Sequence, residues 1–74
     1  MMTATLQIAT TTGTRTDSFN FRVRPGLVRI SGLTPKDSGL AVDVKNEAAR
    51  MTGLDLNSPV WNDENGFWEA AIAA

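Results

Sequence analysis

Phe19-Asn20-Phe21-Arg22-Val23-Arg24-Pro25-Gly26-Leu27-Val28-Arg29-Ile30-Ser31-Gly32-Leu33 decides the fold class. From Phe19 to Arg24 apolar and polar residues alternate at every position, the two-residue period of a half-buried strand. Pro25-Gly26 interrupts the run. Proline fixes one backbone dihedral and glycine tolerates positive φ, so the pair predicts a tight turn or corner between two strands. Alternation then resumes, with Val28 and Ile30 on one face and Arg29 and Ser31 on the other. Phe19 and Phe21 belong to the core side, and Arg22 and Arg24 to the opposite side.

Upstream, Ala4, Leu6 and Ile8 alternate with Thr5, Gln7 and Ala9, which predicts a first strand over residues 3–10. The polar, glycine-broken run from Thr10 to Ser18 reads as a loop. A flexible N-terminal arm over residues 1–17 is the alternative for this whole segment. Downstream, Thr34-Pro35-Lys36-Asp37-Ser38-Gly39 is dense in turn residues. The phrase from Ile30 to Pro35 is a common connection into a strand in small β-sandwiches. Leu40-Ala41-Val42-Asp43-Val44-Lys45 follows, with Leu40, Val42 and Val44 expected inward. Asn46 to Gly53 breaks the pattern. Asn46 suits the cap of a short helical turn, Glu47 its positive end, and Gly53 its close. Pro59 pushes Ser58 towards an extended conformation. Val60-Trp61 and Phe67 to Ile72 then read as short strands around Asn62-Asp63-Glu64-Asn65-Gly66, where Asn65-Gly66 supplies hairpin chemistry. The expected fold is all-β, a small antiparallel β-sandwich or barrel of five to six strands. It forms one domain over residues 1–74, with at most one short helical turn near 46–52.

At 74 residues a chain buries only about 60% of its unfolded surface, so its core is small. Cysteine and histidine are absent. No disulfide brace, no thiolate or imidazole metal site and no acyl-transfer triad of the usual type is then available. Association with copies of itself or with a larger partner is the remaining way to reinforce so small a fold. The net charge of −1 argues against nucleic acid as a partner. No apolar run approaches a membrane span. The Met1-Met2-Thr3 start has neither a basic region nor an apolar one, so no signal peptide is expected and the chain is read as made and used without export.

The oxygens of Asp55, Asn57, Asp63, Glu64 and Asn65 do not fit a calcium loop. With Gly66 at the glycine position, Trp61 falls where the first aspartate belongs and Ile72 where the closing glutamate belongs. Asp63 and Glu69 form the best carboxylate pair for acid–base work, but their spacing singles out nothing. An enzyme, a cofactor and a metal are therefore not expected. The arginine stripe of Arg22 and Arg24, with Arg15 and Arg29 near it, offers contacts to phosphates or to an acidic protein surface. The bland reading is an exposed face whose arginines pair with Asp43 or Glu47, or blunt a sheet edge. Trp61, Phe67 and Trp68 form the heaviest aromatic cluster. Phe67 and Trp68 are neighbours in one strand, so they face opposite sides. One ring must lie outside the core or under something else. Ala70-Ala71-Ile72-Ala73-Ala74 is an apolar end that a partner would cover. The expected protein interface is therefore Arg22, Arg24, Trp61, Phe67, Trp68 and Ile72.

Phe21 to Gly26, Val28 to Leu33, the alternating run Leu40 to Val44 and the tryptophan-bearing hairpin from Trp61 to Trp68 occur in an order that resembles small bacteriophage virion β-domains. That group comprises head decoration or cement proteins, and the likeness covers half to two-thirds of the chain. The segment 46–57 has no counterpart in it. The resemblance implies a subunit on the capsid exterior, made in the host cytoplasm. Such a subunit binds the major capsid protein and stabilises the shell by bridging neighbouring subunits. It also implies a homo-oligomer, a trimer first among the choices. The alternative is a small phage-encoded inhibitor or regulatory module that binds a host enzyme.

Overall fold

The computed structural model describes residues 2–73. The alternating stretch forms β2 (Gly13–Arg24) and β3 (Leu27–Ile30). They pair antiparallel across Pro25-Gly26, with Arg24 opposite Leu27 and Phe21 opposite Ile30. Gly26 has φ 83°, a conformation that only glycine adopts without penalty. β1 (Met2–Thr10) lies antiparallel on the other side of β2. After β3 come α1 (Ser38–Thr52), β4 (Val60–Asn62) and β5 (Phe67–Ala71). The sheet runs in the order β1-β2-β3-β5-β4, and every pairing is antiparallel.

Two segments differ from the sequence reading. The expected loop from Thr10 to Ser18 is strand on both sides of a two-residue turn, Thr11-Thr12. Thr10 pairs with Gly13 and the register continues to Met2 opposite Phe21. The polarity that suggested a loop marks an exposed, threonine-rich hairpin. Cross-strand contacts between Thr3 Oγ1 and Asn20 Oδ1 (3.1 Å) and between Thr5 Oγ1 and Ser18 Oγ (3.3 Å) line one of its faces.

The expected strand at 40–45 is instead the first half of α1, which also takes in the expected helical turn near 46–52. Leu40, Val42 and Val44 alternate, but Ala41, Val44 and Ala48 also recur at helical spacing, and those three are fully buried. Short apolar runs fit either period. Helix wins here because Glu47-Ala48-Ala49-Arg50-Met51 is a strong helix former and the sheet has an apolar face to cover. Val42, inward in a strand, is 40% exposed. Gly53 ends the helix in the left-handed conformation, its N–H donating to the Ala49 carbonyl, and the Thr52 hydroxyl donates to the Ala48 carbonyl at 2.7 Å. Asp37, the N-cap residue, turns its carboxylate back to accept from the Thr34 N–H and hydroxyl rather than capping α1.

The chain is therefore mostly β, but one open five-stranded sheet with a helix on one face takes the place of the expected sandwich or barrel. The core lies between sheet and helix. Ala4, Phe21, Val28, Ile30 and Trp68 come from the sheet, and Ala41, Val44 and Ala48 from α1, with Leu33 at the connection. Burying a side chain such as Phe21 or Ile30 contributes about 1.5–3 kcal/mol.

Candidate protein-docking face

The register fixes what the helix-free face carries. One row across it reads Arg22, Arg29, Glu69, Val60. A second reads Arg24, Leu27, Ala71. A third holds Asn20 and Ser31, joined by a backbone hydrogen bond of 2.9 Å, and then Phe67 opposite Asn62. Arg22 and Arg29 sit directly opposite each other, a pairing that costs free energy unless an anion is near. Glu69 answers for one of the two. Its Oε2 accepts from Arg29 Nε at 2.8 Å and its Oε1 from Asn62 Nδ2 at 2.7 Å. The Asn62 amide first, and Arg29 second, hold the Glu69 carboxyl below the usual glutamate range. Arg29 also lies over the Phe67 ring, 5.7 Å from its centroid, a cation–π placement. Arg22 and Arg24 are exposed and make no ion pair among the described residues. Arg22, Arg29, Ser31 and Phe67 line a shallow concavity of about 200 Å³. A free guanidinium beside an aromatic wall suits an incoming carboxylate, which it can bind bidentately.

The expected interface divides between the two faces. Arg22 and Arg24 are on the open face, as the sequence pattern places them, and of the two adjacent rings it is Phe67 that joins them there. Trp68 alternates with Phe67 and is on the helix face, 7% exposed, with its Nε1–H donating to the Thr34 carbonyl at 2.8 Å. Trp61 pairs with Trp68 and packs edge-on against it, centroids 5.8 Å apart and planes at 64°. It is half-buried against the core, and its Nε1–H donates to Asp63 Oδ1 at 2.6 Å. Ile72 is half-buried on the same side and bridges to Leu56. Most of the C-terminal apolar run is likewise placed: Ala70 is buried, Ala71 is exposed and Ala73 half-buried. Ala74 lies outside the described residues, as does Met1. Both indoles thus lie on the helix side of the sheet, Trp68 buried in the core and bonded to the connection at Thr34, Trp61 packed against Trp68, and unshielded tryptophan is not a reason for a partner.

Compared with protein-family models, curated proteins and solved structures, the chain matches none.

The other constellations resolve into structure. Arg15 is on the helix-face side of the hairpin, opposite Ile8, and pairs with Asp17 at 2.8 Å. It takes no part in the stripe. Asp63 and Glu69 are both engaged, one by the Trp61 indole and the other by Arg29 and Asn62. In the loop 62–66, Asn62 Oδ1 accepts from the backbone N–H groups of Glu64 and Asn65, which makes it turn scaffold. Leu27, Arg29 and Val60 (67% exposed) join the docking face. The two-residue turn at 25–26 was the signal for Arg29, since it forces Arg22 opposite Arg29. Nothing local placed Val60, because its position depends on β5 lying beside β3.

Proposed function

We propose that this chain is a structural binding subunit that docks on another protein through the helix-free face of its sheet. In its specific form the proposal is a capsid decoration or cement protein that bridges subunits of the major capsid protein. The observation that carries the general form is the one-sided cover of the sheet. α1 packs over one face, while the other presents Arg22, Arg24, Leu27, Phe67 and Val60, two unpaired cations among apolar side chains. A surface of that composition suits an acidic, partly apolar protein face, with the arginines speeding encounter and fixing orientation. The specific form rests on the resemblance alone.

The test is mass spectrometry of purified particles, asking whether the chain is a stoichiometric component, paired with capture from particle-free host lysate. Presence on particles at fixed copy number supports the cement reading. Absence from particles together with capture of one host enzyme replaces it with the inhibitor reading. The double variant Arg22→Glu/Arg24→Glu is expected to slow association at least tenfold at low salt, with its thermal midpoint unchanged. Binding that is unaffected by this variant removes the open face from the account.

A further inference from the structure

The two edges of the sheet are built differently. At one edge, β4 has three residues, and residues 55–57 continue alongside β5 only after the break at Ser58-Pro59. The Asn57 N–H donates to the Ala71 carbonyl and the Ala73 N–H to the Asp55 carbonyl. Short strands and a proline are the usual protection of an edge. The other edge is β1, nine residues long, Met2-Thr3-Ala4-Thr5-Leu6-Gln7-Ile8-Ala9-Thr10, with no charge, no proline and no glycine. Nothing in it opposes pairing with another strand.

The register says which of its backbone groups are free. The Asn20 carbonyl accepts from Ser31, so Asn20 directs its hydrogen bonds towards β3 and its neighbours Phe19 and Phe21 direct theirs towards β1. Their partners Ala4 and Met2 therefore bond inward, and by alternation so do Leu6 and Ile8. Thr3, Thr5, Gln7 and Ala9 point their N–H and C=O groups out of the sheet. All four are exposed, and among the described residues none of these backbone groups has a hydrogen-bond partner from outside β1 and β2.

A second observation lies along the same edge. A groove of about 550 Å³ runs between β1 and α1, with Leu6, Ile8 and Leu40 among its walls and Asp43, Glu47 and Arg50 at its rim. No β2 residue lines it, so it opens at the free edge rather than over the hairpin. A strand added to β1 would direct every second side chain into this groove.

We propose that the occupant is β1 of a second copy, paired antiparallel about a two-fold axis at Leu6. Leu6 is the midpoint of Met2–Thr10, so this register uses the whole strand. It joins Thr5 to the partner's Gln7 and Thr3 to the partner's Ala9 as hydrogen-bonded pairs, the very residues whose backbone groups point outward. It also sets Leu6 against the partner's Leu6 inside the groove, and Ile8 across from the partner's Ala4. Large meets small, and no charge meets a like charge. A register centred one residue away still pairs outward groups with outward groups but leaves two residues of each strand unpaired, and one centred half a residue away turns the outward groups out of phase. The result is one ten-stranded sheet, twice the five strands of one copy. It closes as a pair and leaves only the protected β4 edges outside. This surface is independent of the docking face, and either can fail without the other.

The test is sedimentation velocity of the full chain over about a thousandfold range of concentration, with Gln7→Pro alongside. Proline removes an outward N–H and no bond to β2, and an edge strand accepts it. The wild type is expected to dimerise. Gln7→Pro is expected to weaken dimerisation at least tenfold, with unchanged circular dichroism. Amide exchange of the wild type provides a readout that needs no variant: the Thr5 and Gln7 amides slow as the dimer fills. Leu6→Cys reports the register, because Leu6 and the partner's Leu6 form a close non-hydrogen-bonded pair. It is expected to form a disulfide dimer at least ten times faster than Ser18→Cys, which sits one strand away from the edge. A chain that stays monomeric throughout overturns the proposal. So does a dimer in which the Thr5 and Gln7 amides exchange freely, or one that cross-links equally at both cysteines.

Discussion

Replacing Trp68 by phenylalanine tests whether its ring is buried on the helix side of the sheet and bonded to the connection at Thr34, as described. Three losses add up. The Nε1–H bond to the Thr34 carbonyl is worth about 1 kcal/mol. The cost is held to that level because the same carbonyl still accepts from the Asp37 N–H at 3.0 Å and is not orphaned. The smaller ring leaves a void in the core, for about 1 kcal/mol more. The edge-on contact with Trp61 weakens by about 0.5 kcal/mol. The expected total is about 2–3 kcal/mol, which in a domain of this size lowers the thermal midpoint by roughly 10–20 °C. Trp61→Phe is the control. Its indole N–H bonds an exposed carboxylate and its ring is only half-buried, so it should cost less than about 1 kcal/mol. Urea titration of both variants, followed by circular dichroism, reads the difference. A Trp68→Phe variant within about 0.5 kcal/mol of wild type, or a Trp61→Phe variant that is the more damaged of the two, refutes the placement of both rings.

Val42→Asp and Val44→Asp separate helix from strand at 40–45. The helix leaves Val42 exposed and Val44 fully buried, so the first should fold within about 0.5 kcal/mol of wild type. The second, which buries an unpaired carboxylate, should not fold at neutral pH. Equal damage from both would restore the strand. Gly53→Ala forces a side chain into the left-handed conformation at φ 73° and should cost about 1 kcal/mol, read as a shift in the urea midpoint. An unchanged midpoint would mean that α1 does not end there. Glu69 is held below its ordinary pKa in the folded state by Asn62 and Arg29. Its contribution is therefore complete above the unfolded value of about 4.3 and is lost as the pH falls through the folded value. Glu69→Gln should flatten the acid limb of the stability curve below about pH 4, the remaining slope coming in part from Glu47, which Arg50 also lowers. If the acid limb is as steep as in wild type, the contacts of Glu69 with Arg29 and Asn62 are not formed in solution.

The sequence alone determined what depends on nearest neighbours. The alternation through Phe19–Ile30 and the Pro25-Gly26 turn placed the second half of β2, β3 and the shared face of Arg22 and Arg24, because strand period and turn chemistry are local properties. Asn65-Gly66 placed the β4–β5 hairpin for the same reason, and the adjacency of Phe67 and Trp68 required them to part. Tertiary structure decided the rest. Leu40 to Val44 fits both a two-residue and a helical period, and only an apolar sheet face waiting to be covered selects the helix. The pairing of β5 with β3 and β4 carries Trp68 and its partner Trp61 to the helix side of the sheet, and a helix on that side leaves the arginine face bare. The order β1-β2-β3-β5-β4 likewise follows from β5 inserting beside β3, a long-range pairing that no local window records. It is this order that puts the uncharged, unbroken β1 at an edge of the sheet.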